Sequence, residues 1–242
     1  MEQPWRTPEA TAHEPEPAFD GRALPYALGG IAVAVVAARL VSFVLREIPV
    51  PVALYFLVFW TVIFGGLWLT CRYVSRRFGT GKPWRDFGFA WRPSDLWRGL
   101  VAYIVATILA GIVTSPWAGH ADRLHYMMHG LSHVSWLAFA VFACSAVIAA
   151  PIFEELAFRG MLQRTLADRV GQRGAIVGQA AAFAAYHLFP WLGWDNIPYA
   201  LGLFCFGLTM GWLARRLRRL GAGCTAHVIA NSLGTLAYAG TR

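Results

Sequence analysis

The 242-residue sequence predicts an all-α, polytopic integral membrane protein with about seven transmembrane helices and a cytoplasmic N-terminus. Three observations carry that reading. Hydrophobic residues make up 57% of the chain and charged residues only 14%, where water-facing domains run nearer a quarter charged. The mean hydropathy is +0.47, and the apolar residues come in blocks of about 20, the length that spans a bilayer as helix. The basic residues fall in short clusters between those blocks, as in the loops of membrane proteins. Intrinsic disorder, a fibrous rod and a soluble enzyme all fit this pattern poorly.

Residues 1–23 are rich in Pro and Glu, lack any apolar period, and read as a disordered acidic tail. The tail is not a secretory signal, because the apolar block behind it comes too late and is too long. The membrane domain is 24–242, with spans at roughly 24–45, 50–71, 99–117, 137–164, 174–190, 197–214 and 221–239. Between the second and third lies the longest loop, with Arg72, Arg76, Arg77, Lys82, Arg85, Arg92 and Arg98. Its stretch WRDFGFAWRPSDLW alternates aromatics with charges. That suits a segment in the headgroup plane anchored by Trp84, Trp91 and Trp97.

The positive-inside rule then places this loop, the tail, the Arg164/Arg169/Arg173 turn and the Arg215–Arg219 turn on the cytoplasmic side. The opposite loops keep few basic residues, so one alternation accounts for every loop, with room for an eighth, re-entrant segment near 120–133. The formal net charge of +8 is accordingly a loop signal, and lipids rather than nucleic acid are the expected partner. Cys71, Cys144, Cys205 and Cys224 show no CxxC spacing and read as small buried hydrophobes. Gly207 and Gly211 form a GxxxG pair, which more often marks close helix packing than chemistry.

The informative residues are polar ones inside apolar spans. A charge at mid-bilayer costs roughly 2.5–3.5 kcal/mol on insertion scales, yet PIFEELAFRGML carries Glu154, Glu155 and Arg159. Glu155 and Arg159 are i,i+4 in the favourable acid-before-base order and read as a self-contained pair. Glu154 points about 100° away and is left free to face a cavity. Pro151, one turn earlier, removes a helix hydrogen bond and predicts a kink. Further islands are Phe183 with His187, and His227 with Asn231, each at i,i+4. With inner span ends near Arg164, Arg173 and Leu220, Glu154, His187, His227 and Asn231 lie ~15, ~21, ~10 and ~16 Å deep. Three spans thus bring a Glu, two His and an Asn to similar depth. Arg39, a single arginine after Ala37 and Ala38, reads as snorkelling or pairing locally. His120, His125, His129 and His133 on the outer loop read as a solvated helix face, with a surface metal site as the alternative.

Glu and His near a buried water form a general-base arrangement, and His with Asn on another helix supplies donors to a developing oxyanion. Together they describe hydrolysis of an acyl bond, most plausibly a peptide bond, without a covalent intermediate. No GxSxG, HExxH or Walker-type loop is present. The competing account uses a divalent metal such as zinc on Glu154, His187 and His227. Two readings from other classes are a non-catalytic membrane partner or bacteriocin-immunity factor, and a transporter with a proton relay.

In this order on successive helices, EExxxR (Glu154, Glu155, Arg159), FxxxH (Phe183, His187) and HxxxN (His227, Asn231) resemble the CPBP family. That family comprises the type II CAAX prenyl proteases and their bacteriocin-processing bacterial relatives. The resemblance covers about 150–235, within a catalytic core at about 137–239. It implies an intramembrane endopeptidase in which Glu154 is the base and His187 shares the attacking water. His227 and Asn231 would be oxyanion donors, while Glu155 and Arg159 support the helix. The family has been described as both glutamic-type and metal-dependent; one free carboxylate favours the metal-free version. The implied setting is an inner (plasma) membrane, with the site opening toward the cytoplasm and a membrane-associated protein or peptide as substrate.

Overall fold

The computed structural model describes residues 19–120, 134–189, 193–194 and 196–239. Among them every regular element is helical. A 3-10 turn, Gly21–Ala23, leads into α1 (Leu24–Arg46), followed by α2 (Val52–Phe78) and, after a short helical turn at Pro83–Asp86, α3 (Asp95–Thr114). Helix α4 is a run of four pieces: Trp136–Cys144, a π-helical Ser145–Ala149, Ala150–Glu154, and a second π-helical stretch Glu155–Leu162. Helices α5 (Gln163–Tyr186), α6 (Asn196–Leu217) and α7 (Gly221–Ala239) complete the bundle.

Five helical runs are long and apolar enough to cross a membrane, namely Gly21–Arg46, Val52–Phe78, Asp95–Trp117, Trp136–Tyr186 and Asn196–Leu217. Only 17–33% of their most apolar stretches is buried within the protein. The outward faces carry residues such as Val33, Leu40, Leu57, Leu69, Ile108 and Ile112, all exposed. A surface so apolar and continuous needs lipid, not water, as its solvent. Among the described residues each of the seven expected segments is mainly helical, but α7 is not among the five, since His227, Asn231 and other polar residues interrupt its apolar sequence.

Helices α1 and α2 form a close antiparallel hairpin. Gly30 packs on Thr70, and a Cβ on Gly66 would lie 2.6 Å from that of Ala34, so any larger residue would force the helices apart. The fourth and fifth predicted spans form one 51-residue run, Trp136–Tyr186, broken at Gly171. There φ is 70° and ψ 171°, a conformation open to glycine but strained for other residues. The chain doubles back at this point. Gln163 Nε2 donates to Gly211 O at 2.9 Å and Gln179 Nε2 to Gly207 O at 2.7 Å. In a straight helix Gln163 and Gln179 would stand ~24 Å apart, yet they bond carbonyls one turn apart on α6. Thus the GxxxG pair gives two buried glutamines their partners. Glu154 and His187 lie almost equally far from Gly171, ~25 and ~24 Å along the two legs, and so come level. This corrects the inner ends near Arg164 and Arg173. Gly160 packs on Leu220, and the chain from there to Gly171 runs on ~16 Å as an overhanging hairpin.

The basic segments meet at one end of the bundle. Gly21 N donates to Asp168 Oδ2 at 2.8 Å, and Arg164 Nη1 to Asp86 O at 3.0 Å. Leu220 N donates to Gly88 O at 3.1 Å, and Arg219 bridges Asp95 through two bonds of 2.6 and 2.9 Å. That bond raises the Arg219 guanidinium above its usual range, and it explains why α3 starts at Asp95, earlier than the predicted 99. Phe19 is buried against Phe87, with ring centroids 5.1 Å apart. Residues 19–23 therefore belong to the fold rather than to the tail, because an apolar ring there has a pocket to fill; 1–18 lie outside the described residues. Trp84, Trp91 and Trp97 are all exposed, and Trp84 also packs on Trp68 and Phe89. The side chains of the four outer-loop histidines, and the re-entrant segment suggested at 120–133, also fall outside the described residues. The four cysteines are free.

Candidate active site

The site is built where α4, α5 and α7 converge. Glu154, Glu155 and Arg159 are all buried on α4, at 3, 0 and 1% exposure. Buried charges at this depth must be compensated within the protein. Arg159 Nη1 lies 3.1 Å from Glu155 Oε1, and the guanidinium carbon sits 4.1 Å from the centre of the Phe183 ring. The phenylalanine of FxxxH thus supplies a π-face to a buried cation.

The Glu155–Arg159 pair is not self-contained, which corrects the sequence reading. His227 Nδ1 lies 3.4 Å from the same Glu155 Oε1, so one carboxylate serves an arginine on its own helix and a histidine on α7. Local i,i+4 reasoning finds the first partner and is blind to the second.

Glu154 Oε2 faces both imidazoles, 3.7 Å from His187 Nε2 and 3.8 Å from His227 Nε2. It is buried with no hydrogen-bond partner among the described residues. His187 caps the C-terminus of α5, and its Nδ1 lies 2.9 Å from Phe183 O. The carbonyl can only accept, so Nδ1 carries a proton, and in the neutral imidazole Nε2 presents a lone pair toward Glu154. Asn231 donates from Nδ2 to Ala146 O on α4 at 2.7 Å. All four residues line one cavity of about 310 Å³, whose remaining wall is largely apolar and includes Trp60, Tyr103 and Tyr199.

Two neighbours escaped the sequence reading. The Tyr186 phenol lies beside the Glu154 carboxylate, and its ring packs on Phe158 and His187; its position next to His187 in FAAYH was the available signal. Arg39 has a partner far along the chain that its local sequence does not indicate. It donates to Leu188 O, 149 residues away, with its guanidinium 5.8 Å from the Phe189 ring. A cation thereby caps the carbonyl end of the helix that delivers His187.

Among the described residues no group of three or more His, Cys, Asp or Glu side chains is arranged to hold a metal ion. Glu154 Oε2 stands 3.7 and 3.8 Å from the two imidazole nitrogens, against about 3.3 Å between ligands on a tetrahedral zinc.

Comparison with curated proteins and with solved structures gave no match. A comparison with protein families did: residues 134–233 match the model described as type II CAAX prenyl endopeptidase Rce1-like. The matched segment holds all of α4, α5 and α6, and α7 through Leu233, and so contains the six polar residues of the site. That model describes an endopeptidase family. Glu154, His187, His227 and Asn231 thus converge wholly within the segment 134–233, which is similar to the type II CAAX prenyl endopeptidase Rce1-like family.

Proposed function

We propose that the protein is an intramembrane endopeptidase that hydrolyses a peptide bond of a membrane-associated protein or peptide with a water activated by Glu154 and His187. The observation that carries this reading is the unpartnered Glu154 Oε2 facing two imidazole nitrogens across a mostly apolar cavity. A water between Glu154 Oε2 and His187 Nε2 can donate to both. Glu154 takes one proton as the oxygen attacks the scissile carbonyl carbon, and later delivers it to the leaving amine. The negative charge that develops on the carbonyl oxygen needs donors. His227 can donate to it from Nε2, with Nδ1 turned toward Glu155 Oε1 at 3.4 Å. Asn231 keeps one amide N–H beyond the one bound to Ala146. The reaction in this account needs no metal.

His227→Ala and Asn231→Ala should each lower kcat by roughly 10²–10³ while the protein stays folded. Steady-state rates beside thermal melts check this; unchanged kcat in both would remove the oxyanion role. The reading as a whole is tested with purified protein and a library of membrane-anchored peptides, prenylated and unprenylated, with products identified by mass spectrometry. New termini are expected from wild type and none from Glu154→Ala, and identical product profiles would contradict the enzyme reading.

The proposed setting is a bacterial inner membrane crossed seven times, with the N-terminus and the site mouth on the cytoplasmic side. Support comes from the basic segments gathered at one end of the bundle and from the positive-inside rule. Cysteines introduced at the exposed Arg76 and Arg169 should be labelled only from the cytoplasm, and labelling from outside the cell would reverse the orientation.

A further inference from the structure

We infer that Pro151 is a positioning residue for Asn231: because it has no N–H, it leaves the Ala146 carbonyl to the Asn231 side chain and thereby fixes that amide at the cavity wall. The inference rests on the reading above for its catalytic consequence, but its structural content is independent of it.

In an α-helix the carbonyl of Ala146 would accept from the N–H of Ala150. Over Ser145–Ala149, however, α4 is π-helical, and the Ala150 N–H bonds back to Ser145 O instead. In that register the donor for Ala146 O would be the N–H five residues on. Residue 151 is proline and has none. Both intrahelical donors are therefore lost to Ala146, in a stretch where lipid offers no replacement. Asn231 Nδ2 supplies it at 2.7 Å, from a helix 85 residues away. The sequence reading expected Pro151 to free a carbonyl and kink the span; the freed carbonyl is put to use.

The contact sits on a patterned face of α7. Cys224 Sγ lies 3.6 Å from Pro151 O, and Asn231 bonds Ala146 O, so two ties fasten α7 to the bulge of α4. His227 falls between them, three residues after Cys224 and four before Asn231, on the same helix face. An amide has two N–H groups. Committing one to a backbone carbonyl fixes the plane of the other, which is the preorganisation that an oxyanion donor needs.

The test is Pro151→Ala, which restores an N–H at the position that would otherwise serve Ala146 and competes with Asn231. Removal of a mid-helix proline should leave the melting temperature unchanged or higher. Against that background kcat on a cleaved peptide should fall 10–100-fold with KM within twofold, the scale of a small misplacement of a reacting group. In an Asn231→Ala background the same substitution should change kcat less than twofold, because its only route is gone. Pro151→Ser, which also restores the N–H, should behave alike.

An independent readout uses the fact that Asn196 and Asn231 are the only asparagines in the chain. Asparagine-selective ¹⁵N labelling in nanodiscs gives two side-chain amide pairs. In Pro151→Ala the hydrogen-bonded Asn231 proton should move upfield while Asn196 stays put. Wild-type turnover in Pro151→Ala, an additive loss in the Asn231→Ala background, or unmoved Asn231 resonances would each overturn the inference. If wild type and Glu154→Ala prove equally inactive on every peptide, the peptidase reading falls, and the Asn231 resonances alone decide the role of Pro151.

Discussion

Glu154→Gln should lower the rate of peptide cleavage by about 10²–10⁴ or more, with the protein folded and substrate affinity little changed. Glutamine keeps the shape of glutamate but has no negative charge and cannot take a proton from water. At this position the loss has no local substitute. His187 Nδ1 is engaged by Phe183 O at 2.9 Å, and the neighbouring carboxylate of Glu155 is held by Arg159 and His227. Because the base acts on the attacking water, kcat and kcat/KM should fall together. Rates on a peptide that wild type cleaves, beside thermal melts of both proteins, check the prediction. A variant that retains more than a tenth of wild-type kcat would show that the proton goes elsewhere.

Arg159→Ala should cost on the order of 3–5 kcal/mol and abolish accumulation of folded protein along with activity. The guanidinium is buried, 3.1 Å from Glu155 Oε1, and stacked on Phe183. Its removal leaves a carboxylate in the bundle interior and opens a cavity beneath Phe183, and the two penalties act together. His227 is left as the remaining neighbour of Glu155, which couples the folding defect to the active site. Yield of monodisperse protein and its melting transition are the measurements. If Arg159→Ala accumulates and melts like wild type, the pairing argument is wrong.

The parts of the molecule that could be read from sequence are those that the bilayer makes expensive to disguise. Long apolar blocks had to be lipid-facing helices, and Glu154, Glu155 and Arg159 inside one of them had to have a reason. Helical periodicity then grouped Phe183 with His187 and His227 with Asn231, and the structure brings these islands into one cavity. Hidden from sequence were contacts between helices far apart along the chain. Nothing in the spacing of α1 says that Arg39 reaches Leu188, or that Glu155 is shared with His227. The reversal at Gly171 was blurred by the charged residues around it, which put the inner ends of the spans at Arg164 and Arg173 rather than at one overhanging turn. Pro151 did announce a missing hydrogen bond, but only the tertiary structure shows Asn231 serving the carbonyl left behind.

The claim at the centre of this account is that the Glu154 carboxylate itself is the proton acceptor, and metal content measured on active, detergent-purified protein tests it most directly. Elemental analysis should find no stoichiometric metal in wild-type protein that cleaves peptide, and the same absence in inactive Glu154→Gln. One zinc per chain in the active protein, lost together with activity in Glu154→Gln and restoring activity when returned to stripped wild type, would contradict it.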